Sequence, residues 1–272
     1  MKRVPRSPET APLLPRRVID VGEDSSDIVQ LNDFGVSPPK AHYICLSHRW
    51  KRSNPLTTTN VTISTRLSGI DWKDLSPTLQ DAVHLARGFN IRYLWIDSLC
   101  ILQDSTTDWE LESAKMGIYY SKCWLTIAAG LDDPESGLFG RRHPEGDGIG
   151  YYRLKIALPN AQLGDTQAEA SIYFTGLDES GWDNRSASLL FTRGWTLQEE
   201  ALSPRILSFL PRETSLRIDD VVYYESGNYQ TALKGGYLNA NSPSAPSWTA
   251  IVEDYSKRQL QEKKTSFQHC LD

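Results

Sequence analysis

The segment Ile91-Arg92-Tyr93-Leu94-Trp95-Ile96-Asp97 is apolar on both faces of its pleat apart from Arg92. Such a strand must be covered on both sides, as the central strands of a parallel sheet are by their crossover helices. The flanking sequence supplies the cover. Ser76 can cap a helix whose first residue is Pro77, and Leu79, Ala82, Val83, Ala86 and Phe89 recur at three- and four-residue spacing to give one apolar face. Gly88 is placed to end it. On the other side Thr107-Asp108-Trp109-Glu110 has capping-box spacing and predicts a helix to about Ser121. Residues 42–47 and 123–129 are further β-type runs. Strand, helix, strand, helix, strand over 42–130 therefore predicts an α/β fold with a parallel sheet and right-handed crossovers.

The regions outside that core read differently. Residues 1–16, rich in Pro and Arg, are expected to be a mobile tail. Residues 17–21 fit a short strand, a polar stretch follows to about Lys40, and 51–68 reads as irregular. The second half offers short strands at 151–158, 171–175, 205–210, 214–218 and 221–225, the last two joined by Asp219-Asp220. A short helix is expected near 196–202 and a terminal one over 248–261. Three regions result: the tail 1–16, a domain over 17–210 with its α/β core at 42–130 and a β-rich second half, and 211–272 with a hairpin and helix.

Charge and cysteine content narrow the function classes. Twenty-nine basic against 34 acidic residues give a formal charge of −5, which argues against a protein that coats nucleic acid. No apolar run reaches the ~20 residues needed to span a bilayer. The first seventeen residues hold four prolines and no apolar core of a signal peptide. Four cysteines are too few for a disulfide scaffold. A cytoplasmic protein with buried thiols is expected.

Standard catalytic signatures are absent: no phosphate loop, no G-x-G-x-x-G turn, no H-E-x-x-H and no G-x-S-x-G elbow. Cys45-x-x-His48 has no second pair at ligand spacing, so no metal is expected. Three other segments are specific. They are Tyr43-Ile44-Cys45-Leu46-Ser47-His48-Arg49-Trp50, then Tyr93 to Asp104 continuing through Asp108-Trp109, Glu112, Met116 and Ile118-Tyr119, and then Arg193-Gly194-Trp195-Thr196-Leu197-Gln198-Glu199. In this order they resemble the heterokaryon-incompatibility (HET) domain of filamentous fungi, over about residues 40–210. Lys51 stands where that family usually has Gly.

The resemblance implies a role in nonself recognition and regulated cell death, with an unidentified incompatibility partner and a capacity for homo-oligomers. It also implies a distant relation to TIR domains, hence a TIR/flavodoxin-like sheet, and with it cleavage of NAD at the nicotinamide–ribose bond. NAD would then be a substrate, and no resident cofactor is expected. A non-enzymatic module that recruits cell-death partners is the other reading.

Glu112 is the candidate catalytic group, because helical phase puts it with Trp109, Met116 and Tyr119 and the resemblance places a glutamate before the Met. An ion pair with Lys115 or Lys122 is the plainer role. Asp97 ends a parallel strand, where open α/β sheets bind ligands, or it caps the next turn. Ser47, Arg49 and Trp50 follow an earlier strand on the same edge, with Arg49 suited to a phosphate and Trp50 either to ring stacking or to closing the core. Arg193, Trp195, Gln198 and Glu199 read as a structural cluster in which Arg193 and Glu199 pair.

Overall fold

The computed structural model describes residues 10–23, 26–50, 55–131, 133, 136–139, 151–163, 166–175, 188–211, 213–225, 227, 229–231 and 248–258. Along the first half run β1 (Arg17–Asp20), β2 (Ile28–Asp33), β3 (Tyr43–Ser47), α1 (Ile63–Ser68), β4 (Ile70–Asp71) and α2 (Pro77–Gly88). They are followed by β5 (Tyr93–Ile96), α3 (Asp97–Cys100), α4 (Thr106–Ser113), α5 (Met116–Lys122) and β6 (Leu125–Ala129). The second half adds β7 (Tyr151–Leu163), β8 (Thr166–Thr175), α6 (Gly194–Leu202), β9 (Arg205–Phe209), β10 (Thr214–Ile218), β11 (Val221–Tyr224), β12 (Tyr229–Thr231) and α7 (Trp248–Lys257).

Two units are present. Residues 141–182 form one, in which β7 and β8 pair as an antiparallel hairpin with an irregularity between Ala157 and Gln162. The other, residues 1–140 and 183–272, holds a ten-stranded sheet in the order β12-β11-β10-β9-β6-β3-β5-β1-β2-β4.

The middle of that sheet is parallel: β3 pairs with β5 on one side and β6 on the other, and β6 pairs with β9. Every residue of β3 and β6 is buried, as expected for interior strands with no polar face. In chain order the four parallel strands lie second, first, third, fourth across the sheet. The chain thus leaves β3 in one direction and returns on its other side. That reversal puts a switch point between the carboxyl ends of β3 and β6. Both flanks are antiparallel, β1, β2 and β4 beyond β5 and β10, β11 and β12 beyond β9.

Several sequence expectations change in detail. The sheet does not stop at residue 130, because β9 joins as a fourth parallel strand. The polar stretch before Lys40 contains β2, whose Val29 and Leu31 are buried between exposed neighbours. The irregular stretch 51–68 contains α1. Residues 10–16 of the expected tail pack on the fold: the Leu14 amide donates to Pro39 O at 2.9 Å and the Leu14 side chain is buried.

Ser76 caps α2 as expected, accepting from the Leu79 amide, and the helix ends at Gly88 as expected; the left-handed residue that follows is Asn90 at φ 57°. Asn tolerates that conformation because its short side chain hydrogen-bonds locally. The second predicted helix is two. Its cap is Ser105, which accepts from the Asp108 amide, rather than Thr107, and the helix breaks at Ala114-Lys115 before α5 starts. The Asp108 carboxylate is engaged instead by the buried Arg17 and by the Leu102 amide at 2.8 Å. Asp219 at φ 51° makes the β10–β11 turn where the Asp-Asp pair was expected to.

The core gathers around Trp95, wholly buried, with the rings of Tyr119 and Tyr120 at 5.5 and 5.7 Å. Cys45, Cys100 and Cys123 are buried free thiols. Burial lifts Cys100 to about 12. Among the described residues no helix is long and apolar enough to cross a membrane.

Candidate functional site

The parallel strands deliver polar groups to one edge of the sheet. Ser47 is the last residue of β3 and Asp97 follows the last residue of β5. Above that edge a cavity of about 70 Å³ is lined by Ser47, His48, Trp50, Asp97, Tyr120 and Glu199, with Trp109, Arg193 and Trp195 at its walls. Such a volume holds a few waters.

Glu199 sits on α6, which is buried on the side carrying Thr196, Leu197, Glu200 and Ala201. The Ser47 hydroxyl donates to Glu199 Oε2. Burial pushes the Glu199 carboxyl up to about 7, and the negative charge of Asp97 adds to this; Ser47, Arg193 and Tyr120 act in the opposite direction. Asp97 is held from two sides: Trp50 Nε1 donates to its oxygens at 3.1 and 3.2 Å, and the Ser98 amide donates to Oδ1 at 2.7 Å. It therefore binds the first amide of its own turn, without being the helix cap, and faces the cavity at once.

His48, weighed from the sequence only as half of a Cys45-x-x-His48 metal pair, belongs to this cavity. Its Nδ1 lies 3.9 Å from Asp97 Oδ1 and has no hydrogen-bond partner among the described residues. Burial lowers its pKa, Asp97 works against this, and Arg193 adds to it. The imidazole is thus kept neutral in the wall. The Tyr120 hydroxyl is driven well above its ordinary value by burial. At the mouth, Trp195 is 49% exposed.

Of the expected site residues, the fold brings together Ser47, Trp50 and Asp97. Arg49 is half-buried and outside the cavity lining. Arg193, Trp195 and Glu199, expected to be structural, share this cavity, whereas Gln198 packs against Gly117 on α5.

Glu112 is elsewhere. It is 1% exposed, accepts from the Tyr119 hydroxyl at 2.7 Å, pairs with Lys115 at 2.9 Å, and lines a separate groove. The turn at Ala114-Lys115 is what separates it from the cavity. Among the described residues no group of three or more His, Cys, Asp or Glu side chains is arranged to hold a metal ion.

A family model described as heterokaryon incompatibility protein (HET) matches residues 43–199, more than half of the 272-residue chain. The match runs from the first residue of β3 to Glu199, and so contains every side chain named around the cavity. No curated protein and no solved structure matches the chain.

Proposed function

Since the chain belongs to the heterokaryon incompatibility family, we propose that within fungal nonself recognition it triggers regulated cell death by cleaving NAD. The bond broken joins nicotinamide to ribose, and the place is the cavity of Ser47, Asp97 and Glu199. One observation carries this reading: a buried carboxyl held near 7 lies beside a second carboxylate at the carboxyl edge of a parallel sheet. Two carboxyl groups whose surroundings separate their roles are what glycosidic cleavage uses.

In this mechanism the C1′–N bond breaks with its electron pair leaving on nicotinamide, which departs neutral. The Asp97 carboxylate, fixed by Trp50 and Ser98, faces the oxocarbenium-like ribose and stabilises its charge. A water attacks C1′ from the other face and gives its proton to Glu199, whose pKa near 7 suits it to accept a proton at neutral pH. The products are nicotinamide, ADP-ribose and a proton. Ser47 orients Glu199. Trp195, half exposed, moves aside to admit the nicotinamide ring, and the rest of the dinucleotide lies outside with its phosphates towards Arg193.

The second–first–third–fourth strand order supports reading the parallel core as TIR/flavodoxin-like. Glu112 has no part in this chemistry, since Tyr119 and Lys115 already use both its oxygens. The test is release of nicotinamide from NAD by purified protein. Asp97→Asn and Glu199→Gln are expected to lower the rate by about 10²–10⁴, with Glu112→Gln near wild type. Loss of activity in Glu112→Gln alone would move the site, and no release by the wild type under any condition would end the enzymatic reading. The non-enzymatic module then stands, favoured by the open groove at Glu112.

A further inference from the structure

That groove is an open concavity of about 1250 Å³ in the unit formed by residues 1–140 and 183–272. One wall is the segment 10–16 laid along residues 36–40, fixed by the Leu14 amide on Pro39 O and by the Ala41 amide on Pro12 O at 3.0 Å. The other wall is α4 and α5. The floor is already satisfied: the Tyr43 hydroxyl donates to Tyr119 O at 2.7 Å, and Tyr119 in turn donates to Glu112. No polar group of the floor asks for a ligand.

The walls are different. Leu13, Val36, Leu111 and Ile118 present 60%, 100%, 54% and 60% of their surface to solvent around one opening. Clustered exposure of this kind marks an interaction surface, unlike scattered single apolar residues. Cations stand between them. Lys40 and Lys122 are exposed and form no ion pair with any described residue, and Arg16, Lys115 and Arg205 complete the rim. The one acid of the lining, Glu112, is neutralised by Lys115. A chain of net charge −5 thus holds at the rim of this apolar groove two cations, Lys40 and Lys122, without an ion pair to any described residue. Beside them stand Arg205, Arg16, which pairs with Asp33 and Asp108, and Lys115, which pairs with Glu112.

We infer that this groove docks an acidic amphipathic helix of a partner protein. The apolar stripe of such a helix fills the space between Leu13 and Ile118, and its carboxylates meet Lys40 and Lys122 on opposite rims. Leu111, Lys115, Ile118 and Lys122 alternate apolar and cationic along one wall, the complement of a helix carrying apolar and acidic residues at three- and four-residue spacing. A flat membrane surface would meet the exposed rim and leave the groove itself unfilled. The inference is independent of NAD cleavage, which takes place in the other cavity.

The probe is a fluorescein-labelled helical peptide of about fifteen residues with a leucine stripe flanked by glutamates, read by anisotropy. A matched peptide carries lysine in place of glutamate. Saturable binding of the acidic peptide alone is expected, weakening as salt rises. Ile118→Asp is expected to weaken it by at least about tenfold, and Lys40→Glu or Lys122→Glu by about fivefold each. The double variant Lys40→Glu, Lys122→Glu is expected to reverse the preference towards the lysine peptide. These positions are exposed, so unchanged melting temperatures accompany the losses. The inference is overturned if the acidic peptide does not bind saturably, or if its binding ignores these substitutions. It is equally overturned if phosphatidylserine vesicles bind through these residues while the peptide does not.

Discussion

The hydroxyl of Ser47 donates a hydrogen bond to the carboxylate of Glu199 across 152 positions of sequence, and both side chains are buried. The contact fastens the end of the central parallel strand to α6. It also holds a carboxyl group where ionisation is costly.

This cost has a measurable sign. In the fold Glu199 keeps its proton to about pH 7, against an ordinary 4.5. The native state therefore binds the extra proton between those values, so this group's stabilisation is complete below about pH 4.5 and is lost as pH rises to about 7. The loss is expected to be on the order of 3 kcal/mol. Glu199→Gln should flatten that part of the profile in urea unfolding at a series of pH values. An unchanged slope would place the titration elsewhere.

Trp95 has no solvent contact and packs on Tyr119 and Tyr120. Trp95→Ala is expected to cost about 3–5 kcal/mol through the cavity it leaves. Thermal unfolding measures it, and near-normal melting would show that β5 is not central.

Arg258 joins α7 to α6. Its guanidinium reaches Glu200 at 3.2 Å, Asp254 at 2.6 Å and the Thr196 hydroxyl at 3.0 Å, and it is itself buried. Arg258→Met removes the buried ion pair with the Glu200 carboxylate and is expected to cost about 3–5 kcal/mol. Adding Glu200→Gln should recover much of this, since the buried charge is then gone. Urea midpoints of the two single variants and the double variant decide it.

The start of α4 separates two similar hydroxyls. Ser105 Oγ accepts from the Asp108 amide at 3.3 Å, whereas Thr107 lies inside the helix. Ser105→Ala is expected to cost about 1 kcal/mol and Thr107→Ala less than about 0.5 kcal/mol. Equal effects in melting would return the cap to Thr107.

Local chemistry made much of this protein readable in advance. The two-faced apolar run around Trp95, the Ser76-Pro77 helix start and the Asp219-Asp220 turn are short-range signals, and each stands near its expected place. The motifs around Ser47, Asp97 and Glu199 were legible as motifs, as was the family they resemble. Their division of labour was not. Periodicity assigned Glu112 to a helix continuing to Tyr119, but Arg17 and the Leu102 amide engage Asp108, Ser105 caps α4, and the chain turns again at Ala114. A shift of cap and a break in a helix rotate every later side chain, and no local pattern reports either.

The strand at 205–209 was expected, but not its parallel pairing with β6, and β2 was not expected as a strand: a short strand acquires its partners from segments tens of residues away. What the sequence by itself determined is the parallel α/β centre and the polar residues at its carboxyl edge, because periodicity and capping act within a few residues. Only the tertiary structure decided that Glu199 rather than Glu112 shares a cavity with Asp97. Burial, and the charge that burial makes costly, depend on which distant elements close over a side chain.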